Sequence, residues 1–170
     1  MYTHPNSNIE HSVHGMLTAE LARAAATPGS PEHTDLFPRL SARMCWDAML
    51  MCAAEANGIK CSQPVGIITA QQYDKVFDPG NSVTVADEVQ LRSIPRGSFL
   101  GFVDRHNKWL IHAMIYLGDG EAAGTKNSNV LSRGKVIGWE ILDLKDYFTK
   151  DRGLNAGRYM LARPVDGQKI

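Results

Sequence analysis

MCWDAMLMCAAEANG, residues 44–58, is the clearest helical segment of the chain. Its apolar residues recur at a helical spacing: Cys45, Ala48, Met49, Cys52, Ala53 and Ala56. That spacing places them on one face of a helix. Ser41 is a candidate N-cap, and Gly58 supplies a stop signal at the other end. The segment therefore predicts an amphipathic helix that carries Cys45 in its first turn.

Cys45 has two interpretations at this position. A thiol in the first turn of a helix lies at the positive end of the macrodipole, which favours the thiolate and lowers the cysteine pKa. Cys45 would then be a nucleophile. It also lies on the apolar face, where a free cysteine is commonly a small buried residue. The helix alone leaves both interpretations open.

Composition and charge narrow the class of protein. The chain has 170 residues, of which 44% are hydrophobic, and this is enough for one domain with a core. Lys and Arg total 18, and Asp and Glu also total 18, so no net charge favours nucleic acid or an anionic membrane. No run approaches the roughly 20 apolar residues of a membrane span. We expect a small molecule or a protein as the substrate.

The chain divides near residue 38. Residues 1–38 begin with a polar stretch, contain a short helical segment at residues 16–26 and end in a region marked by Pro and Gly. We interpret them as an N-terminal arm. Residues 39–170 form the main domain, in which a second, shorter helix is predicted at residues 69–76.

The second half of the main domain has the composition of β-strands. Four runs are rich in β-branched or aromatic residues: residues 98–104, 108–117, 135–144 and 158–165. Short turns join successive runs, which favours an antiparallel sheet. Helices followed by a sheet predict an α+β fold.

The cysteines and histidines give no metal signal. The three cysteines are an odd number without CxxC spacing: Cys45, Cys52 and Cys61. We interpret them as free thiols and assign Cys52 to packing. The histidines of the first 38 residues lack the spacing of metal ligands: His4, His11, His14 and His33. We expect no metal and no cofactor.

His112 interrupts the apolar strand KWLIHAMIYL, residues 108–117. A buried imidazole needs a partner for each ring nitrogen or costs on the order of 1 to 3 kcal/mol. A structural histidine bonded to the backbone is one explanation. A catalytic pair of Cys45 and His112 is the explanation we favour, because such a pair requires only a helix end packed against a sheet.

Three stretches together resemble the papain-like cysteine hydrolases, and most closely their NlpC/P60 branch. They are Cys45-Trp46 at a helix start, IPRGSFLGFVD at residues 94–104, and HAMIYLGDG at residues 112–120. The last is similar to the histidine strand and glycine turn of that branch. The branch usually has Asp-Cys-Ser-Gly around the nucleophile, whereas here Met44 precedes the cysteine. The resemblance implies a papain-like fold, in which the cysteine helix packs on the antiparallel sheet.

The resemblance also implies the roles of the site residues. Cys45 would attack an amide carbonyl, its own backbone N–H would hold the oxyanion, and His112 would protonate the leaving amine. A polar residue on the next strand would orient the histidine. Asn127 is the best-placed candidate, followed by Asn129 and Asp143. We leave the second oxyanion donor unassigned.

Trp46 lies directly beside the candidate nucleophile. Its indole could line the cleft or shield the Cys45–His112 pair. An aromatic residue that anchors the helix in the core is the role we favour.

The implied function is a cysteine amidohydrolase that cleaves a peptide or isopeptide bond, with peptidoglycan peptide as the first substrate class. One alternative is a glutamine or asparagine deamidase that acts on a target protein, and another is a non-catalytic binding module on the same scaffold. The first residues lack the pattern of a signal peptide. We therefore expect synthesis in the cytoplasm and delivery as an effector or toxin by a dedicated secretion system, with an immunity protein as a partner.

Overall fold

The computed structural model describes residues 12–58, 76–127, 136–148, 157–165 and 168–169. Within these ranges the helices are α1 (Gly15–Ala25), α2 (Pro31–Ser41), α3 (Cys45–Ala56) and α4 (Glu88–Ser93), with a 3₁₀ helix at Lys145–Phe148. The strands are β1 (Ser12–Val13), β2 (Val83–Val85), β3 (Phe99–Asp104), β4 (Leu110–Gly118), β5 (Glu121–Gly124), β6 (Glu140–Asp143), β7 (Arg158–Arg163) and β8 (Gln168–Lys169). Three helices precede most of the strands, which confirms the predicted α+β class.

Six strands form one antiparallel sheet in the order β2-β7-β3-β4-β5-β6, and β1 pairs with β8 separately. The prediction of an antiparallel sheet is therefore confirmed. Strands β3 and β7 fall within predicted runs, and β4 extends one residue beyond its run, to Gly118. In the described part of the run at residues 135–144, only β6 is a strand. The helix predicted at residues 69–76 lies, except for its last residue, outside the described residues.

Helix α3 spans the predicted apolar residues from Cys45 to Ala56, but it begins later than a Ser41 N-cap would place it. Met44 occupies the N-cap position with an extended backbone and makes no side-chain capping bond. Ser41 instead ends α2, and its Oγ accepts the backbone N–H of Trp139 at 2.9 Å. The capping prediction was wrong because a tertiary contact uses the hydroxyl. Gly58 follows the helix with φ +87°, in the left-handed region that glycine adopts readily.

The segment predicted as an N-terminal arm contributes to the core. Helix α1 presents a stripe of alanines to the interior, and Ala22 and Ala25 are fully buried. The indole N–H of Trp139 donates to the carbonyl of Ala22 at 2.9 Å. Leu36 and Leu40 of α2 are buried in the same cluster. Small side chains let α1 approach its neighbours closely, so residues 15–41 belong to the helical layer.

Strand β4 separates two hydrophobic clusters. Ala113, Ile115 and Leu117 belong to the cluster that contains the buried residues of α1 and α3. The alternate residues Met114 and Tyr116 belong to a second cluster, which includes Tyr147 of the 3₁₀ helix. This division follows from the two-residue period of a strand. We call the two sides of the sheet the helical face and the opposite face.

No helix among the described residues is long and apolar enough to cross a membrane.

Candidate active site

His112 and Asn127 form a buried hydrogen-bonded pair. His112 in β4 is fully buried, and Asn127, just after β5, is 3% exposed. The distance from His112 Nε2 to Asn127 Oδ1 is 2.9 Å. Because an amide oxygen only accepts, we assign the ring hydrogen of the neutral imidazole to Nε2. Nδ1 then carries a lone pair and has no hydrogen-bond partner among the described residues.

The turn after β5 brings the Asn127 amide to the ring of His112. Gly124 ends the strand, and a Cβ at this position would lie 3.0 Å from Met114 Cγ and 3.1 Å from Asn127 Oδ1. A side chain at position 124 would therefore crowd the amide. Lys126 has φ +58°, an uncommon conformation for a residue with a side chain, and it reverses the chain before Asn127. Such backbone outliers are enriched at functional sites.

Glu140 orients the other end of the Asn127 amide. Asn127 Nδ2 donates to the carbonyl of Gly124 at 3.0 Å and to Glu140 Oε1 at 3.3 Å. Glu140 is 8% exposed, and its Oε2 accepts the N–H of Val136 at 3.2 Å. The sequence analysis missed Glu140. The signal was a carboxylate inside the apolar run at residues 135–144, the same kind of interruption that identified His112.

Cys45 is the first residue of α3 and is 3% exposed. Its sulfur lies against three backbone N–H groups: those of Ala113, Trp46 and Cys45 itself. The last two belong to the free N-terminal end of the helix, where amides have no intrahelical partner. Ala113 is the residue that follows His112 in β4. The helix start is thus packed against the strand that carries the histidine, as the sequence predicted.

The Cys45 sulfur lies at an open edge of β4. Strand β5 pairs with β4 from Ile115 onward, so the first residues of β4 extend past the end of β5. The N–H of Tyr116 donates to Ser98 on the β3 side. By strand alternation the N–H of Ala113 points to the other side, toward the space beyond β5. Cys45 occupies this space and contacts the backbone of β4 there.

The thiol and the imidazole approach the strand from different sides. Helix α3 packs on the helical face, whereas the His112 ring lies on the opposite face beside Phe102, with ring centroids 5.7 Å apart. Since Nδ1 has no partner among the described residues, Cys45 and His112 are not hydrogen-bonded to each other in this structure. The direct hydrogen bond expected of a catalytic Cys–His pair is therefore not formed in this structure.

Both groups are neutral in the folded chain near neutral pH. Burial raises the pKa of the Cys45 thiol, and this effect exceeds the opposing effects of the N–H groups and of Lys126. Burial lowers the pKa of His112 to about 4, with the Asn127 hydrogen bond acting in the other direction. The N–H groups at the helix start lower the Cys45 pKa, as predicted, but the pKa is raised overall because the tertiary structure buries the thiol.

A cleft of about 530 Å³ opens at Cys45. It is lined by Met44, Cys45, Trp46, Leu110, Ile111, Lys126 and Arg158. The volume and the mainly apolar walls are typical of a small-molecule or peptide site. Trp46 both packs against the core and lines the cleft. Its indole Nε1 is buried without a hydrogen-bond partner among the described residues.

The other residues considered in the sequence analysis do not contact Cys45 or His112 or lie outside the described residues. Asp143 is half exposed and pairs with Lys145 at 3.2 Å, while the bond of His112 goes to Asn127. Asn129, Cys61, His4 and His11 lie outside the described residues. His33 stacks on Phe37, and Cys52 is fully buried. In the described part of the chain, no group of three His, Cys, Asp or Glu residues could hold a metal ion.

No protein-family model matches the chain, and no curated protein sequence is significantly similar to it. The function of the site is therefore inferred from its residues and their geometry.

Proposed function

We propose that the chain is a cysteine amidohydrolase with a papain-like arrangement of helix and sheet. One observation carries the proposal: the sulfur of Cys45 lies against the N–H of Ala113, and the preceding residue is a histidine that Asn127 orients. The Nδ1 atom of that histidine has no hydrogen-bond partner among the described residues. Nucleophilic catalysis requires a thiol and an imidazole base that a polar side chain orients, and Cys45, His112 and Asn127 supply these groups on neighbouring elements.

The first step transfers a proton as the sulfur attacks. Both groups start neutral, so His112 acts as a general base: Nδ1 takes the thiol proton while the sulfur bonds to the amide carbon. The carbonyl oxygen becomes an oxyanion, and the backbone N–H of Cys45 at the helix start donates to it. Asn127 holds the hydrogen on Nε2 and so keeps Nδ1 basic. This step requires a contact between the Cys45 sulfur and Nδ1, which this structure does not contain.

The second step breaks the amide. His112 gives the proton on Nδ1 to the leaving nitrogen, the C–N bond breaks, and a thioester remains on Cys45. Water then attacks the thioester, loses a proton to Nδ1 and releases a carboxylic acid, and the thiol regains its proton. If the leaving group is a peptide amine, the reaction is hydrolysis of a peptide or isopeptide bond. If it is ammonia, the same steps deamidate a glutamine or asparagine.

Peptidoglycan peptide remains the first substrate class under this proposal, and the deamidation of a target protein is the second. The biological setting that we propose is an effector or toxin carried by a dedicated secretion system, with an immunity protein in the cell that makes it. Both parts come from the resemblance of the sequence to the papain-like hydrolases.

A non-catalytic binding module is the second candidate function. Two observations favour it: the raised pKa of Cys45 and the missing hydrogen bond between Cys45 and His112. In that case the cleft would bind a ligand without cleaving it, and Cys45 would be a packing residue.

The deciding experiment compares two cysteine variants. The full chain is incubated with peptidoglycan fragments and with candidate target proteins, and mass spectrometry follows the gain of water or the loss of ammonia. We expect the Cys45→Ala variant to lose the reaction and Cys52→Ala, which removes a buried thiol outside the cleft, to keep it. A correctly folded Cys45→Ala chain with full activity would overturn the proposal. Substrate binding without turnover by the wild type would establish the binding module.

A further inference from the structure

Three backbone N–H groups contact the sulfur of Cys45, and they come from two elements of the fold. Those of Cys45 and Trp46 belong to the first turn of α3, and that of Ala113 belongs to β4. The first N–H groups of a helix have no intrahelical partner. The atom that forms the new bond in the proposed reaction therefore has donors on its helix side and on its strand side.

The N–H of Ala113 lies outside the hydrogen-bond ladder between β4 and β5. Pairing of these strands reaches Ile115 and Ala123, and β5 ends at Gly124, so no residue of β5 is the partner of Ala113. The sulfur of Cys45 accepts from this N–H instead. Ala113 is fully buried and pairs with Gly101 of β3, so the sheet holds the donor in a fixed direction.

The thiol is a poor acceptor for these donors. The sulfur of a neutral thiol accepts hydrogen bonds only weakly, and the Cys45 thiol is neutral near neutral pH because burial raises its pKa. An oxyanion carries a full charge and accepts much more strongly. Bonds that are weak with the thiol and strong with the oxyanion stabilise the transition state more than the resting enzyme, and only that difference accelerates the reaction.

The oxyanion of the proposed reaction forms close to the same donors. Once the sulfur has bonded to the amide carbon, only that carbon separates the sulfur from the oxyanion. A donor at hydrogen-bonding distance from the thiol is therefore near the position where the negative charge develops. The N–H groups of Cys45 and Trp46 belong to one turn of a helix, whereas the N–H of Ala113 reaches this position from the facing strand.

We propose that the backbone N–H of Ala113 is the second oxyanion donor of the site, together with that of Cys45. This inference rests on the proposed amidohydrolase function and assigns a donor for which the sequence offered no candidate. As the sulfur bonds to the amide carbon, His112 takes the thiol proton and an electron pair of the carbonyl bond moves to the oxygen. The N–H groups of Cys45 and Ala113 donate to that oxygen.

A backbone ester removes this one N–H from the full chain. Replacing Ala113 with lactic acid during translation keeps the methyl side chain and exchanges the N–H for an ester oxygen. We expect kcat for amide hydrolysis to fall by about a hundredfold. The rate at which iodoacetamide alkylates Cys45 should fall at least about tenfold less, because the sulfur then displaces iodide from a saturated carbon and no oxyanion forms.

Ala162 supplies the matched control. It is a fully buried alanine of β7 in the same sheet, it pairs with Val83 on one side and Leu100 on the other, and it does not line the cleft. Replacing Ala162 with lactic acid should lower the free energy of unfolding more than the change at Ala113, yet keep kcat within about threefold. Each ester also weakens the carbonyl of the preceding residue, so the comparison cancels that effect.

A second measurement uses the wild type and does not depend on the folding of a variant. Acetamidoacetaldehyde adds to a thiol: the C–S bond forms and the carbonyl oxygen takes the thiol proton, which gives a hemithioacetal. Its oxygen is one carbon away from the sulfur, as the oxyanion would be. In a chain labelled with nitrogen-15 alanine, the amide proton of Ala113 should lie further downfield in this adduct than in the iodoacetamide adduct. Equal shifts in the two adducts would overturn the inference.

The outcomes separate this inference from the proposed function. Amide hydrolysis at the wild-type rate by the folded Ala113 ester would refute the Ala113 donor and keep the amidohydrolase. Equal losses of kcat and of alkylation rate in that ester would assign the N–H to the thiolate, and this result would also refute the inference. A folded wild type that cleaves no amide and whose Cys45 does not add the aldehyde would refute the proposed function and the inference with it.

Discussion

The residues of strand β4 that point to the two faces of the β-sheet have different surroundings. On the helical face, β4 presents Ala113 and Ile115, which pack against α3 among buried aliphatic groups. On the opposite face, the residue just before Ala113 is His112, whose ring bonds to Asn127 and through it to Glu140. Both faces carry a buried hydrophobic cluster, but the opposite face also holds a chain of buried polar groups.

This difference shows how a small fold can separate stability from chemistry. Alternate residues of a strand face different environments, so a position on the helical face can change with little effect on the polar cluster. Cys45 is the exception, because it belongs to the helical layer but contacts β4 at its open edge. If the proposed function holds, the reaction takes place at the boundary between the faces.

The largest effect that we expect distinguishes Cys45 from Cys52, which lies on the same helix inside the apolar layer. Cys45→Ala should reduce amide hydrolysis by more than about 10⁴-fold, whereas Cys52→Ala should stay within about twofold, because Cys45 lines the cleft and Cys52 does not. Steady-state kinetics measures both. The double variant of Cys45 and His112 should be little worse than either single variant. Similar losses of activity in Cys45→Ala and Cys52→Ala would show that the thiol at the edge of β4 has no role that the buried thiol lacks.

Acid should lower the free energy of unfolding through His112, which lies on the opposite face of the sheet. His112 has a pKa of about 4 in the folded chain and an ordinary value of 6.5, so between these values the unfolded chain binds a proton that the folded chain does not. The free energy of unfolding should fall by roughly 3 kcal/mol as the pH decreases from 6.5 to 4.

Urea unfolding at a series of pH values measures this dependence. The His112→Gln variant, which keeps a donor for Asn127, should lose most of it, and Cys52→Ala should retain it. An equal loss of stability in acid for wild type and His112→Gln would assign the dependence to other groups.

Asn127→Ala should reduce kcat by about tenfold to a hundredfold and change KM little, because the ring of His112 loses the bond that fixes its hydrogen on Nε2. Nitrogen NMR of the imidazole reports the tautomer directly, and we expect a mixture of tautomers in the variant. Asn81→Ala is the control, since Asn81 is an exposed asparagine that bonds to Asp78. A pure Nε2–H tautomer in Asn127→Ala would show that the asparagine does not orient the ring.

The smallest effect concerns Glu140. Glu140→Gln keeps an oxygen acceptor for Asn127 but removes the charge, so kcat should fall by only about threefold. In Glu140→Ala, which removes the acceptor as well, kcat should fall by about tenfold or more. The partial recovery in the glutamine variant is the expected sign of a positioning role. Equal activities of the two variants would indicate that the carboxylate only supports the fold locally.

The sequence was most informative where a local pattern determines structure. The apolar spacing of residues 45–56 predicts α3 correctly, and the polar interruption at His112 identifies a residue with a buried polar partner. Asn127 was predicted from the resemblance as the residue that contacts His112, and its side chain does bond to the His112 ring. The catalytic roles of all three residues stay predictions.

The remaining features depend on tertiary contacts. The sign of the Cys45 pKa shift follows from burial against β4, which no helical pattern encodes. Ser41 was a reasonable cap by local rules, but Trp139, distant in sequence, uses its hydroxyl. Glu140 meets Asn127 only after β5 and β6 have paired. Sequence reasoning identified Cys45, His112 and Asn127 but missed Glu140, and it did not predict the environments of these groups.

The bond from Lys126 to the carbonyl of Arg43 joins parts of the chain that are 83 residues apart. Arg43 lies two residues before Cys45, and Lys126 directly precedes Asn127, so the bond connects the segments that carry the proposed nucleophile and its proposed orienting residue. During biosynthesis, the first half of the site leaves the ribosome long before the second. Under the proposed function, a newly made chain would therefore be inactive until β5 has docked, and activity would appear only when folding is complete.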